Sequence, residues 1–210
     1  KMFEEFDYQI LATKILSSSI RNDRIAPAYL FTGPDGVGQK EIAIRFFEGI
    51  SSHDSDQIYI RKLIKKGNHP DLLIIEPTYL DKGNLINKSI AQDENLVFPG
   101  PPQIRLEQIK NLKLFLNNKP IKSNTNMVLL EDVDTLNESA ANALLKTIEE
   151  PINCVLVLIT SRPEVLLTTI KSRCQRIPFK AFNDLLLKEQ LKKYKENNIT
   201  SNIFDDKEIL

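Results

Sequence analysis

Four short apolar runs decide most of what this chain can fold into. They are Tyr29-Leu30-Phe31, Leu72-Leu73-Ile74-Ile75, Met127-Val128-Leu129-Leu130 and Cys154-Val155-Leu156-Val157-Leu158-Ile159. None alternates apolar with polar residues. A strand with one face in water alternates, whereas a strand that reads this way is covered on both faces, as in a parallel sheet between helices. Pieces of buried helix have a similar composition, but turn residues flank the runs: Gly33-Pro34, Pro70, Pro77, Asn153 and Arg162-Pro163. Between the runs the period becomes helical. Ile42, Ala43, Phe46, Phe47 and Ile50 form one stripe, and Ala140, Ala141, Leu144, Leu145 and Ile148 form another. Asn137 fits an N-cap for the second helix, and Pro151 ends it because proline lacks an N–H and restricts Glu150 before it. A further helix, about Ile10 to Arg21, precedes the first strand. Strand and helix in alternation predict an α/β fold with right-handed crossovers.

Three segments break this rhythm. Ser51 to Asn68 is polar and carries Arg61, Lys62, Lys65 and Lys66, which read first as the solvated face of a helix. Thr78 to Gln103 contains glycine and proline and reads as a long loop or small insertion. After Phe182 the composition shifts to Leu, Lys, Glu and Asn, and Leu185, Leu186, Leu187 and Leu191 predict a helix that opens a second domain.

Composition narrows the function classes. The 210 residues carry 28 basic and 28 acidic side chains, so the formal net charge is zero. That argues against coating nucleic acid by bulk electrostatics, while leaving room for a local basic patch. No apolar run approaches the roughly 20 residues that span a bilayer, and the polar, acidic start has no signal-peptide pattern. The two cysteines, Cys154 and Cys174, are too few for a disulfide scaffold or a four-cysteine zinc site and point to a reducing, cytoplasmic setting.

Three motifs carry chemistry. The first, Thr32-Gly33-Pro34-Asp35-Gly36-Val37-Gly38-Gln39-Lys40, lies between a strand and a helix. Gly33, Gly36 and Gly38 allow backbone N–H groups to curl around a phosphate, and the helix N-terminus adds its dipole. A complete phosphate loop follows its last glycine with Lys and then Ser or Thr. Here Gln39 stands at the lysine position and cannot place a positive charge on the phosphates. Lys40 stands at the hydroxyl position, repels magnesium, and is turned about 100° from the place of the missing lysine. The favoured reading is a turn retained after nucleotide binding was lost; the alternative is weak residual binding through the backbone.

The second motif is the acidic strand end Glu131-Asp132. In nucleoside triphosphatases such a strand end carries an Asp on the magnesium shell and a Glu that polarises water. Here the order is reversed, which displaces each carboxylate by roughly 1.5 Å, a shift able to cost about 100-fold in rate. The third is Ser172-Arg173-Cys174, whose bland reading is a surface arginine meeting a helix C-terminal dipole.

Together these segments resemble the AAA+ clamp-loader subunits of bacterial DNA polymerase III, the delta-prime family in particular. The resemblance spans nearly the whole chain. It includes Ile25-Ala26-Pro27-Ala28 before the loop, Asn68-His69-Pro70-Asp71-Leu72, and Pro102-Gln103-Ile104-Arg105-Leu106-Glu107-Gln108-Ile109. Its most specific stretch runs from Asn137-Glu138-Ser139-Ala140-Ala141-Asn142 through Ala143-Leu144-Leu145-Lys146-Thr147-Ile148 to Glu149-Glu150-Pro151, with Ser172-Arg173-Cys174 downstream.

The resemblance implies a three-layer, RecA-like AAA+ domain over 1–180 and the beginning of a helical lid over 181–210. On that reading the C-terminal collar domain is absent, the chain is a fragment, Met2 is the natural start and Lys1 an addition. It also implies that Arg173, with Ser172 and Cys174, forms an arginine finger that enters the ATP site of a neighbouring subunit. A guanidinium supplied in trans is worth about 10³–10⁵ in rate in other phosphate-cleaving systems, and its planar fork suits the task better than lysine. The expected function is that of a non-motor subunit that helps load the sliding clamp onto primed DNA. Its partners would be the tau/gamma motor subunits, the delta subunit and the clamp, with DNA contacted through the assembled complex and no membrane. The alternative is an active motor ATPase of the tau/gamma type, which Gln39 and Lys40 disfavour. No cofactor is expected. The phosphate loop and Glu131-Asp132 would be vestigial, and the four-cysteine zinc module of many family members has no counterpart in Ser51 to Asn68. The two histidines are His53 and His69, and His69 beside Pro70 reads as a turn residue rather than a ligand. Nothing in these residues supports polymerase chemistry in the chain itself, although the assembly it implies is the polymerase holoenzyme.

Overall fold

The computed structural model describes residues 2–51, 57–150 and 154–182. The chain divides into two units, Lys1–Phe179 and Lys180–Leu210, and every described strand and helix belongs to the first. Pro151, Asn153, His53 and the leucines predicted to open a lid helix, Leu185, Leu186, Leu187 and Leu191, lie outside the described residues.

A five-stranded parallel sheet forms the centre. Its strands are β1 (Ala28–Thr32), β2 (Leu72–Ile75), β5 (Asn126–Leu130), β6 (Cys154–Thr160) and β7 (Gln175–Pro178), in the spatial order β2-β5-β6-β1-β7. The three inner strands β1, β5 and β6 are buried at every position, as non-alternating apolar runs require. β2 departs from that expectation. It is an edge strand, and Ile74 is 38% exposed. The other edge, β7, has no apolar run and is absent from the strand pattern read in the sequence; only Ile177 is fully buried there.

Helices cover both faces: α1 (Ile10–Arg21), α2 (Gln39–Ser51), α3 (Gln57–Lys65), α5 (Leu106–Leu116) and α6 (Glu138–Glu149). The predicted stripe of α2 buries Ile42, Ala43, Phe46 and Phe47, and Tyr29 meets Phe46 edge-on with ring centroids 5.3 Å apart. On the other face Leu144 and Ala140 of α6 and Ile109 and Leu112 of α5 pack against Val128, Leu130, Leu156 and Leu158. Asn137 caps α6 as expected, its Oδ1 accepting from the Ala140 N–H at 2.8 Å. The helix stops at Glu149, and Glu150 is extended, the conformation a following proline imposes. A short helix, Thr168–Lys171 (α7), follows β6 and leads to Ser172.

The segment 78–103 is an ordered insertion rather than a loop. β3 (Thr78–Asp81) and β4 (Asn84–Asn87) pair antiparallel across Lys82-Gly83, both at positive φ, and α4 (Lys88–Asp93) follows. That two-residue turn matches the twist of a hairpin. Among the described residues no helix is long and apolar enough to cross a membrane.

In the basic cluster, Lys62, Lys65 and Lys66 are exposed, as a solvated face predicts. Arg61 is different: its guanidinium donates to the carboxylate of Glu48, whose side chain is only 6% exposed. His69 is a turn residue, its Nδ1 accepting the Asp71 N–H. It is also buried, packed edge-on against Phe47, and burial pushes its pKa below the ordinary value.

Candidate functional site

Parallel strands bring their C-terminal ends to one side of the sheet, where an α/β fold binds ligands. β1 ends in the glycine loop, β5 in Glu131-Asp132, and β6 in Thr160. The sequence-predicted residues Gly33, Gly36, Gly38, Gln39, Lys40, Glu131 and Asp132 all belong to this end.

The loop is shaped by close approach as well as by backbone freedom. A Cβ on Gly33 would come within 2.6 Å of the Phe179 carbonyl oxygen, and one on Gly38 within 2.7 Å of the Tyr8 hydroxyl. Gly36 and Gly38 hold φ of 74° and 94°, which glycine alone adopts freely. The segment before α1 closes over the loop. Gln9, itself buried, donates from Nε2 to the Val37 carbonyl at 3.2 Å. The adjoining Tyr8 has its pKa pushed up to about 12 by burial, with Glu41, Glu5 and Asp7 adding to the effect.

The amide of Gln39 does not face outward to a ligand. The residue is 4% exposed, and its Nε2 donates to the Pro34 carbonyl at 2.6 Å and the Gly33 carbonyl at 3.4 Å. It stitches the loop to its own helix. Lys40, turned away from the lysine position as the helical period requires, brings Nζ within 2.5 Å of Glu131 Oε1. Oε1 is buried and accepts no hydrogen bond from any other described residue. Burial raises the Glu131 pKa above its ordinary value, against the pull of Lys40.

Asp132 is paired as well, by a residue the sequence did not single out. Lys88, the first residue of α4, donates from Nζ to Asp132 Oδ2 at 2.8 Å, and this bond raises the lysine's pKa. Asp132 adopts the left-handed conformation, φ 49°, and its carbonyl accepts from Thr135. Next to it, Asp134 takes the Thr160 hydroxyl at 2.7 Å and two N–H groups of Arg162 at 3.0 and 2.7 Å. Thr32, at the end of β1, accepts from Arg176 Nε at 3.1 Å.

These residues do not fit a magnesium–nucleoside triphosphate. The place of the phosphate-binding lysine is filled by an amide bonded inward. Each acid of the pair already has an ammonium where a metal shell would stand, and the negative charges of Asp35 and Glu76 act on the same groups. Among the described residues no cluster of His, Cys, Asp and Glu could hold a metal ion.

Ser172, Arg173 and Cys174 lie at the other end of the sheet. β7 runs parallel to β1 with Gln175 opposite Tyr29 and Pro178 opposite Thr32. Arg173 is therefore level with Pro27, six residues before Gly33, or roughly 20 Å along the strand. It cannot serve the loop of its own chain. Its N–H bonds to the Ile170 carbonyl and that of Cys174 to the Lys171 carbonyl, while the Cys174 side chain packs against the core. The thiol is a packing group: burial pushes its pKa up to about 11. The Arg173 guanidinium is 39% exposed, donates from Nη1 to the Thr169 carbonyl at 2.9 Å, and pairs through Nη2 with Glu149 Oε1 at 2.9 Å. The Ser172 hydroxyl also bonds to Thr169.

Comparison with known proteins bears on the family and the fold. The family model described as "DNA polymerase III, delta subunit" matches residues 8–183. The DNA polymerase III subunit delta' of Bacillus subtilis is 31% identical over 211 residues, covering 93% of this chain and 57% of the relative. That of Pseudomonas aeruginosa is 32% identical over 156 residues, covering 71% and 42%. The chain thus spans about half the length of the curated relatives it matches. Among solved structures, a DNA polymerase III gamma subunit-related protein of Thermotoga maritima superposes with a TM-score of 0.55 at 25% identity, covering 81% of this chain and 47% of that one. The sheet order, the helices on both faces and these matches make one case: the chain belongs to the DNA polymerase III delta-prime family, on an AAA+-type α/β domain.

Proposed function

We propose that this chain is a non-motor subunit of a DNA polymerase III clamp loader. It hydrolyses no ATP itself, supplies Arg173 to the nucleotide site of a neighbouring ATPase subunit, and helps load the sliding clamp onto primed DNA. The observation that carries the reading is the separation of the two sites. The end of the sheet that would hold a nucleotide is closed by Gln39 and neutralised by Lys40 and Lys88, whereas Arg173 stands at the opposite end with its guanidinium partly exposed. An arginine that cannot reach its own loop, and whose guanidinium is partly exposed, is placed to serve a neighbouring chain. Residues 1–180 would form the AAA+ domain and 181–210 the opening of a helical lid. The partners would be tau/gamma-type motor subunits, a delta subunit and the clamp, in the cytoplasm.

The test is ATP turnover in the reconstituted loader with clamp and primed DNA. Arg173→Ala should all but silence the one site it completes, on the scale of about 10³–10⁵ seen for fingers elsewhere, and lower total turnover by that site's share. Unchanged turnover would remove the finger assignment. ATP binding to the chain alone, followed by calorimetry, would favour the motor reading instead.

A further inference from the structure

Arg173 is held folded back on its own subunit, and the residue that holds it is out of place by the ordinary rules of helices. Glu149 is the last residue of α6. A carboxylate there faces the negative end of the helix dipole, where a basic residue is the favoured choice. What Glu149 gains in return is Arg173: Oε1 lies 2.9 Å from Nη2, while Nη1 of the same guanidinium is bonded to the Thr169 carbonyl.

We propose that Glu149 is a positioning residue for Arg173, a counter-ion that stows the guanidinium until the phosphates of a neighbouring subunit's nucleotide compete for it. The inference rests on the reading of Arg173 as a finger given in trans. The backbone of Arg173 is fixed by the turn after α7 and by the packing of Cys174, so only the side chain has to swing. The pair is partly exposed on both sides, 39% and 45%. Ion pairs so exposed contribute little, at most a factor of about five in equilibrium. So weak a pair yields to a triphosphate, whose higher negative charge and several oxygens suit the planar fork better than one carboxylate oxygen does.

The experiment uses the reconstituted clamp loader with clamp and primed DNA, reading kcat/KM for ATP. Glu149→Gln removes the competing charge and should raise kcat/KM by up to about fivefold over the unmodified complex. The gain should shrink as ionic strength is raised from about 0.05 to about 0.3 M, because salt screens the pair being removed. In the Arg173→Ala background Glu149→Gln should have no effect. A purely structural Glu149 would instead lower kcat/KM and do so with or without Arg173. An unchanged or lowered kcat/KM for Glu149→Gln, with Arg173→Ala still defective, would overturn the stowing role and leave the finger standing. A normal Arg173→Ala complex would overturn both.

Discussion

Lys40→Met removes the ammonium from Glu131 while keeping most of the aliphatic stem, and its effect can be worked from the geometry. Two unit charges about 4 Å apart at an effective dielectric of 20 attract by about 4 kcal/mol, and breaking a fully buried pair costs about 3–5 kcal/mol. Here the side chains are 39% and 22% exposed, so solvent screening reduces the expected loss to about 1–3 kcal/mol. The pH dependence has a definite sign. In the native protein burial raises the Glu131 pKa above the ordinary 4.5 and Lys40 opposes it; without Lys40 the remaining influences, burial, Glu76 and Asp132, all raise it. An acid whose folded pKa exceeds its unfolded value destabilises the fold above the folded pKa and stops doing so below the unfolded one. The deficit of Lys40→Met should therefore be largest near neutral pH and shrink as pH falls towards 4.5. Glu131→Gln in the same background should restore most of the loss. Urea unfolding monitored by far-ultraviolet circular dichroism, at several pH values, measures all three quantities. A deficit that is the same at about pH 5 as at about pH 7.5, or that survives Glu131→Gln, would refute the view that Lys40 is there to neutralise a buried carboxylate.

The same physics bears on Asp71 and on the two thiols. Asp71, 1% exposed, accepts from the N–H groups of Ile121, Lys122 and Ser123 and the Ser123 hydroxyl at 2.6–2.8 Å; burial alone would raise its pKa, but these donors hold it below the ordinary 3.8. Asp71→Ala should cost about 2–4 kcal/mol at neutral pH. The native contribution of this carboxylate is present above pH 3.8 and lost as pH falls through the lower folded value, which acid unfolding of both proteins would record. Burial pushes the thiols of Cys154 and Cys174 up to about 12 and about 11. Both should therefore react with iodoacetamide far more slowly in the native protein than in urea, as mass spectrometry would count.

The sheet was legible where burial was complete. Tyr29-Leu30-Phe31, the run from Met127 and the run from Cys154 are inner strands, and their lack of alternation reports two covered faces. β7 was not legible because an edge strand of four residues with one fully buried side chain needs no apolar run; its place is fixed by pairing with β1. The hairpin of 78–87 left a readable signal in Lys82-Gly83 between Leu80 and Leu85, which lie directly opposite each other. At the candidate site, the defect at Gln39 and Lys40 was readable from spacing alone, but its consequences were not. That Lys40 is one residue late shows it cannot replace the missing lysine; only the structure shows that the same turn of the helix aims it at Glu131. Lys88 had no signal at all, since 44 residues separate it from the Asp132 it neutralises.

The insertion thus has a chemical consequence at a distance. A triphosphatase keeps its strand-end acids free because a metal ion must balance them during each cycle. Here two lysines, one from the loop helix and one from α4, supply that balance permanently, and Gln39 spends its donors on the loop's own carbonyls. These changes need not disturb Arg173. In a parallel sheet the loop lies beyond the C-terminal ends of the strands, whereas the turn after α7 lies before the N-terminal end of β7, with the fully buried strand β1 between them. The fold itself separates the two ends: the loop can change at one without displacing the Arg173 guanidinium at the other. The same separation makes the pairing of Arg173 with Glu149 a local matter of α6 and α7, to be altered by substitutions there and not by repair of the loop at Gln39 and Lys40.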